Sequence, residues 1–569
     1  WLALALIAIS SFMIFVRSPL FSKIAISSEV SPSFRATWNI GRDVFKEGTK
    51  SILLGSGLGT FGLDWSRYKN PAINQTQFWG VRFNQGFSWL STLIATTGVL
   101  GVLVFVLFLG FSAFLFLRSI LLLPVHDTEL ASSVFVGLVG IVIAAVLYPA
   151  NFTLMIFLFM SVGFLSLLLT RRASEEIAPQ ESGEAAPVSV SIPLKFLPRD
   201  IVEQNIRFES QWAVFLSSLF AVFFISLSVG GLYYEWGRLR EALAQQRGSS
   251  AFAIGSMDTA LVSFERAALL QPQNFRNYQV LVQLRTEKIR NLIQRATAGE
   301  NVQQEFQATV NAANQNSQMA LELMPSEPIL WRTQGALYEV MIPFINGSER
   351  LAFDSYKRAT ELDPVNPGLW TDWGRSGLVF ADRLLLLANQ ASGKDREGLL
   401  QARINTLREV AVAFQKAIAV KGDFAPAHFL LSQTAIRLGD LRSAIQATEN
   451  AKITAPFDIG IAFQLGILYY QSGDFVRSQA ELERAISINE NYSNARYFLG
   501  LIYDQRQDKT RALEQFHKIA ALNQDNQEVR LILQNLRSGK PALEGIVPPA
   551  PPPAQRIEPP VPERGGGER

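Results

Sequence analysis

The chain has 569 residues, 48% of them hydrophobic, and the apolar excess lies before Trp236, so the front reads as membrane and the back does not. Its 52 basic and 49 acidic side chains leave a net charge of +3, with no electrostatic footprint for nucleic acid. Cysteine is absent, which excludes disulfides, thiolate metal sites and a cysteine nucleophile while leaving the redox compartment open.

Trp1 to Val16 is apolar, without Met or a charged leader, and shorter than the roughly 20 residues a membrane-crossing helix needs. It reads as the end of a transmembrane helix that begins upstream, so the sequence is expected to be a fragment. Residues 17–86 follow as a polar loop carrying Trp38, Trp65 and Trp79 beside Arg35, Arg42, Arg67 and Arg82, with Trp89 just beyond it. Aromatic rings and cations together suit a membrane interface, where rings sit at headgroup depth and cations meet lipid phosphates. The loop is read as an active-site lid facing the outside of the cell.

Residues 87–170 are expected to be transmembrane. Phe87 to Leu117 is too long for one upright helix and is interrupted by Gly98 and Gly101, so an oblique or re-entrant helix to Thr97 followed by a span fits its length. Ala131 to Tyr148 and Asn151 to Thr170 give two more spans, the last ending at Arg171 and Arg172, which mark the cytoplasmic side. Residues 171–210, rich in Glu, Ala, Pro and Ser, hold too little apolar material to fold and read as a cytoplasmic linker. Residues 211–236 form a further span. Counting crossings puts both the 17–86 loop and everything after Trp236 outside the cytoplasm, in a multi-pass protein of the cell (inner, cytoplasmic) membrane.

From Met257 to Ser538 the pattern changes to amphipathic helices with an internal period. Gly439 and Gly473, Gly466 and Gly500, Tyr469 and Tyr503, and Ala451 and Ala485 are each 34 residues apart. Trp331, Gly335 and Tyr338 match a first-helix signature, with Gln334 where Leu is usual; Ala352, Tyr356, Ala359 and Pro364, and again Ala260, Phe264, Ala267 and Pro272, match a second-helix signature. That period and those signatures resemble tetratricopeptide repeats. Small residues let paired helices approach, an aromatic fills the gap and the proline stops the second helix. Residues 237–540 are therefore expected to be an α-solenoid that holds a protein or peptide partner. Extra residues between Trp331 and Ala352, and more around Ser392 to Glu397, are expected to lengthen two units. The PPAPPPA-bearing tail, 541–569, reads as disordered. The fold class expected is all-α: polytopic transmembrane helices, then a tetratricopeptide-type solenoid.

The cluster Gly55-Ser-Gly57-Leu-Gly59-Thr-Phe-Gly62 contains a formal G-x-G-x-x-G. A dinucleotide site would need a strand before it and a helix after it within a βαβ unit, and an aromatic loop leading to a membrane span is the wrong setting. Two readings stay open: a tight turn using glycine's access to positive φ, or a backbone nest for phosphate. Arg35 with Trp38, then Ile52 to Leu54 leading into Gly55, Gly57, Gly59 and Phe61, then Thr97, Gly98 and Gly101, together resemble the O-antigen ligase and polymerase family of polytopic bacterial glycosyltransferases. The resemblance implies transfer of a polyprenyl-pyrophosphate-linked glycan to an acceptor hydroxyl outside the cytoplasm, without metal or cofactor, with arginines on the pyrophosphate.

It carries over to Arg35 and Arg82 as phosphate-binding residues, with Gly55, Gly57 and Gly59 beside them, since a guanidinium can clamp phosphate oxygens by two parallel bonds. Each arginine could instead snorkel at the interface. The family's histidine does not carry over: its place falls near Phe87, with Asn84 and Gln85 the nearest polar side chains, and His126, His428 and His517 lie elsewhere. General-base help worth roughly a hundred- to ten-thousandfold is then missing or supplied differently. Asp64 and Asp43 are substitutes on paper, and both are expected to be solvated. No zinc spacing, Walker loop or Ser/His/Asp arrangement is present. The expected function is such a glycosyltransferase, with the repeats holding a partner or acceptor; the alternative is a non-enzymatic, membrane-anchored tetratricopeptide scaffold of the cell envelope.

Overall fold

The computed structural model describes residues 30–149, 152–176, 211–546 and Val561, and among these there are helices and turns but no strand. They divide into two compact units. One runs to Asn70 and from Gly80 to Tyr278; the other takes Pro71–Trp79 and the chain from Gln279 onward.

The first unit opens with three short helices where an irregular loop was expected: α1 (Phe34–Phe45), α2 (Thr49–Leu54) and α3 (Phe61–Tyr68). α1 forms because Ser33 caps it, accepting from the Ala36 amide, and because Thr37, Ile40, Gly41 and Val44 recur on one buried face. The aromatic content that suggested an interface loop is partly consumed in packing, with Trp65 buried against Phe83 at 4.8 Å.

α4 (Trp89–Leu122) begins at a capping box between Ser88 and Ser91 and is broken at Gly98, whose φ of 63° and ψ of −160° are not helical. In a straight helix Trp89 and Phe105 would stand about 24 Å apart along the axis. Their rings lie 4.8 Å apart, so the first arm folds back on the second, in agreement with the oblique segment read from length and glycine placement. α5 (Val125–Leu147) and α6 (Phe152–Glu176) pack on the second arm through Leu115, Leu138, Leu158 and Leu165. Outside that seam the helices show bare apolar side chains, Leu107, Phe111, Phe159 and Met160 among them, and Leu121 is 82% exposed. Trp89–Leu122 and Asp127–Leu147 are long and apolar enough to cross a membrane, whereas Thr153–Leu169 is apolar but shorter. α7 (Gln211–Ala253) is one continuous helix, so the boundary expected after Trp236 falls inside it. α8 (Met257–Leu270) packs back on α7, Phe264 lying against Gly248. The 171–210 linker, apart from the end of α6, lies outside the described residues, as does the first apolar run.

α9 (Phe275–Thr297) passes from the first unit into the second, which continues with α10 (Gln303–Leu323), α11 (Pro328–Met341), α12 (Ser348–Leu362), α13 (Pro367–Gln390), α14 (Gly393–Val420), α15 (Ala425–Leu438), α16 (Leu441–Thr454), α17 (Ile459–Gln471), α18 (Phe475–Ile488), α19 (Ser493–Gln505), α20 (Lys509–Leu522) and α21 (Gln527–Arg537). Each pair from α11 onward meets at one joint. A methyl group added to Gly335, Gly374, Gly466 or Gly500 would sit 2.9, 2.5, 2.8 or 2.5 Å from the side chain of Tyr356, Phe414, Leu482 or Phe516 respectively. In α15 and α16 the joint is polar: Ser432 and Thr448 hydroxyls bond at 2.6 Å, and Gln464 of α17 donates to Ser432 at 2.8 Å. The insertion expected around Ser392 to Glu397 is real and extends α13 to 24 and α14 to 28 residues, against 14 in each of α15 and α16. The tail expected to begin at Pro541 instead stays packed through Ile546, with Ala542 buried and its amide donating to Asp504 at 2.7 Å.

The period is written in the turns as well. Asp440, Asp474 and Asp508 cap α16, α18 and α20 by accepting from the amides of Ser443, Arg477 and Arg511, each at 3.0 Å. The residue before each cap is left-handed: Gly439 at φ 77°, Gly473 at φ 79° and Gln507 at φ 66°. A side chain in that region costs about 1–2 kcal/mol. Gln507→Gly should relieve this strain and, after the extra unfolded-chain entropy of glycine, raise stability by roughly 0.5–1 kcal/mol, read as a higher urea midpoint. An unchanged or lower midpoint would contradict that account.

Candidate functional site

The three pieces of sequence that carried the glycosyltransferase resemblance meet in the first unit. Because Gly98 breaks α4, the carbonyls of Ala95 and Thr96 lose the amides that a continuous helix would aim at them. The glycine turn supplies replacements: the amide of Ser56 donates to Ala95 at 3.2 Å and that of Gly57 to Thr96 at 2.8 Å. Gly55 and Gly98 permit the approach, since a Cβ on Gly55 would stand 2.3 Å from the Thr96 carbonyl carbon and one on Gly98 2.6 Å from the Gly55 nitrogen. α1 closes the other side, with Gly41 against Ala95 and the Thr37 hydroxyl accepting from the Phe87 amide at 2.8 Å.

This geometry separates the two readings of the glycine cluster. The amide of Gly55 donates to Ser51 at 2.9 Å, so those of Gly55, Ser56 and Gly57 are all engaged by backbone carbonyls, and Gly59 is left at the exposed tip of the turn. Arg82 donates through Nε to the Gly62 carbonyl at 2.9 Å. Arg67 is paired with Glu47 at 2.7 Å, and Asp43 with Lys46 at 2.6 Å. Arg35 stands exposed on α1 beside the exposed rings of Phe34 and Trp38. Phe87, at the place of the family's histidine, packs edge-on to Phe34 at 5.9 Å. His428 is buried with Nε2 at 2.8 Å from the Gly422 carbonyl, and the exposed His517 lies in α20, both in the second unit.

Asp64 departs from expectation. It is 8% exposed rather than solvated, and its carboxylate accepts from the Ser56 hydroxyl at 2.5 Å while that oxygen also meets Thr60 at 2.6 Å. Burial pushes its pKa up to about 6, against the opposing pull of the Ser56 bond. A carboxyl titrating near neutrality beside the glycine turn has the acid–base range that a general base needs. Nothing periodic in FGLDWSRY marks this, because the burial comes from the turn that carries Ser56. Among the described residues no cluster of three or more His, Asp or Glu could hold a metal ion.

The second unit has a different kind of site. The carboxamide of Asn494, in the first turn of α19, donates to the Val561 carbonyl at 2.8 Å and accepts from the Val561 amide at 3.1 Å, and Val561 is fully buried in the cluster that holds Tyr497 and Phe498. One side chain thus reads both polar groups of an incoming backbone residue. Farther along, α9, α11 and α13 enclose a cavity of about 240 Å³ lined by Arg290, Arg332, Asp372 and Arg375. Glu339 beside it is buried and accepts from Tyr356 at 2.6 Å and Arg375 at 3.2 Å, its pKa raised chiefly by burial. Asn494 was not singled out in the sequence, because it lies off the 34-residue pattern.

Residues 459–492, covering α17 and α18, match the tetratricopeptide repeat model. The second unit is a tetratricopeptide repeat domain. Solved structures similar to the chain at low identity include a tetratricopeptide repeat protein from Parabacteroides merdae at 16%, covering 52% of this chain and 99% of that one with a TM-score of 0.32; YrrB, described as a tetratricopeptide protein with an unusual peptide-binding site, at 16%, covering 38% and 97% with 0.29; and the MamA protein at 17%, covering 36% and 96% with 0.28. No curated protein matches the chain. The tetratricopeptide domain is a protein-interaction module.

The Asp64 environment makes a stability prediction with a definite sign. Its folded pKa lies above the ordinary carboxyl value of 3.8, so the protonated form is favoured by folding and stability is lost as pH rises from about 4 through about 6. Asp64→Asn keeps an acceptor for Ser56 and removes the charge. The variant should melt above the parent at pH 8 and level with it near pH 4; a pH-independent difference would show that Asp64 is not held in this state.

Proposed function

We propose that the chain is a membrane glycosyltransferase of the O-antigen ligase and polymerase type, moving a polyprenyl-pyrophosphate-linked glycan to an acceptor outside the cytoplasm, with the tetratricopeptide domain holding a protein or peptide partner or the acceptor. The observation that carries this reading is the convergence at Gly98. Motifs separated by some forty positions in the resemblance are here one interlocked object, the glycine turn bonded to the carbonyls freed by the kink. In this reading Arg35 is the exposed cation for the pyrophosphate, with Arg82 beside the glycine turn and the tip at Gly59 the part of the turn left to meet an anion. Asp64, with a pKa near 6, takes the proton from the acceptor hydroxyl in place of the absent histidine.

A multi-pass topology with loop and repeats in one compartment belongs to the same proposal. Exposed apolar side chains around α4 to α6 suit lipid contact, and Pro71–Trp79, from within the expected outer loop, belongs to the same compact unit as the repeats. A second reading, a non-enzymatic envelope scaffold anchored by its apolar helices, is favoured by one observation: Phe87, an aromatic packed on Phe34, occupies the histidine position.

In cells carrying the full-length protein, Arg35→Ala with Arg82→Ala should make lipid-linked glycan accumulate and surface glycan fall, by at least tenfold if two phosphate contacts are lost. Asp64→Asn should reduce transfer while leaving carrier binding intact, and the parent's rate should rise with pH through about 6. Unchanged glycan in the double arginine variant would remove the transferase reading. Unchanged glycan on loss of the whole gene, with partners lost when the repeats are deleted, would establish the scaffold instead.

A further inference from the structure

Within the second unit, the nine residues Pro71–Trp79 are separated from the rest by two hundred positions, yet they are seated on it like a bound peptide. Pro71–Gln75 forms a single 3-10 turn whose one buried side chain is Asn74, 1% exposed. Its two amide hydrogens are divided between two carbonyls: Nδ2 donates to Val365 at 2.9 Å, in the turn between α12 and α13, and to Val420 at 3.0 Å, the last residue of α14. The carbonyls at the end of a helix have no partner of their own, so Asn74 satisfies a group that would otherwise need water. Lys421 completes the exchange by donating from Nζ to the Asn74 carbonyl at 2.9 Å. Five residues beyond Asn74, Trp79 packs edge-on to Phe424 at 5.6 Å with the Lys421 ammonium 5.4 Å from its ring centre.

We infer that the turn edge formed by residues 363–366 and 420–424 is a docking surface of the repeat domain, separate from the Asn494 grip, and that its occupant is this chain's own segment Pro71–Trp79. The specificity is legible in the contacts. The surface offers two convergent acceptors, which select a carboxamide over a carboxylate, and a cation beside an aromatic, which selects an indole a few residues later. Asparagine at 74 therefore cannot be exchanged for its isostere aspartate, whose oxygens would face the two carbonyls. Asn74 lies seven positions after Arg67 and eight before Arg82 in sequence, so the docked segment is the middle of the loop that bears the proposed transfer site. The inference does not rest on that site being catalytic.

The absence of cysteine from these 569 residues makes a clean test possible in this chain. Gln75 and Gly422 are both exposed, and a side chain at Gly422 meets nothing within 4 Å, so Gln75→Cys with Gly422→Cys introduces a thiol on each side of the contact. A short bismaleimide should join them rapidly in the membrane-bound protein. Adding Asn74→Asp should slow cross-linking at least tenfold, and adding Lys421→Ala, which leaves the buried Asn74 in place, should slow it severalfold. The urea midpoint of the repeat domain reports whether either variant has unfolded. No cross-link in the parent pair, or a rate that neither substitution changes in a folded domain, overturns the inference. Glycan transfer is not the readout, so the outcome is independent of the transferase proposal.

Discussion

Both units depend on the same constraint: at a few points two stretches of helix or turn approach closer than a methyl group permits, and glycine is what lets them. In the first unit Gly55 and Gly98 let a turn supply amides to the carbonyls of a broken helix, and the broken helix in turn anchors the turn. In the second, Gly335, Gly374, Gly466 and Gly500 let the second helix of each pair drop a tyrosine, phenylalanine or leucine into the first. Where glycine is replaced by Ser432, the partner has become Thr448 and a hydrogen bond stands in for the ring. The joint is conserved as a physical arrangement within the array even where its chemistry changes.

That constraint also explains what could be read in advance. Glycine at a fixed spacing with an aromatic sixteen or more residues later is a pairwise signal, carried in one local stretch, so the repeats, the inserted length of α13 and α14 and the bend in α4 were all legible. Three things were not. The helices α1 to α3 were masked by composition, because tryptophan and arginine in a polar stretch point to an interface whether the backbone is irregular or helical. Asp64 was read as solvated because burial depends on the Ser56 turn arching over it, a contact with no periodic mark. The docking of Pro71–Trp79 joins residues hundreds of positions apart, and a lone asparagine in Asn74-Gln-Thr76 resembles a chance tripeptide more than a bound side chain.

The electrostatics of the loop favour some of its groups over others as reactive parts. Three of its four arginines are occupied: Arg42 with Asp43, Arg67 with Glu47, and Arg82 with Gly62. Exposed pairs of this kind contribute little to stability, so their geometry matters more than their energy. Arg35, on a capped helix and beside exposed aromatic rings, is presented without such a commitment, and a cation flanked by aromatics is suited to an amphiphile with an anionic head. Asp64 sits at the other end of the scale, buried enough to hold a proton near neutrality and bonded to a hydroxyl that fixes its direction.

The repeat domain uses asparagine twice, and the two uses clarify each other. Asn494 presents a donor and an acceptor to one backbone residue, the arrangement that reads an extended segment without regard to its side chains. Asn74 does the reverse: it is the side chain being read, spending both hydrogens on carbonyls at helix ends while its own Oδ1 is buried without a hydrogen-bond partner. A buried acceptor without a partner costs about 1–3 kcal/mol, so the seating of this segment must be held by the rest of the contact, the Lys421 bond and the Trp79 ring. A contact balanced in that way is strong enough to form and weak enough to open. The first grip is general and the second particular, which is the division expected of a domain that accepts a partner on one surface while staying attached to one segment of its own chain on another.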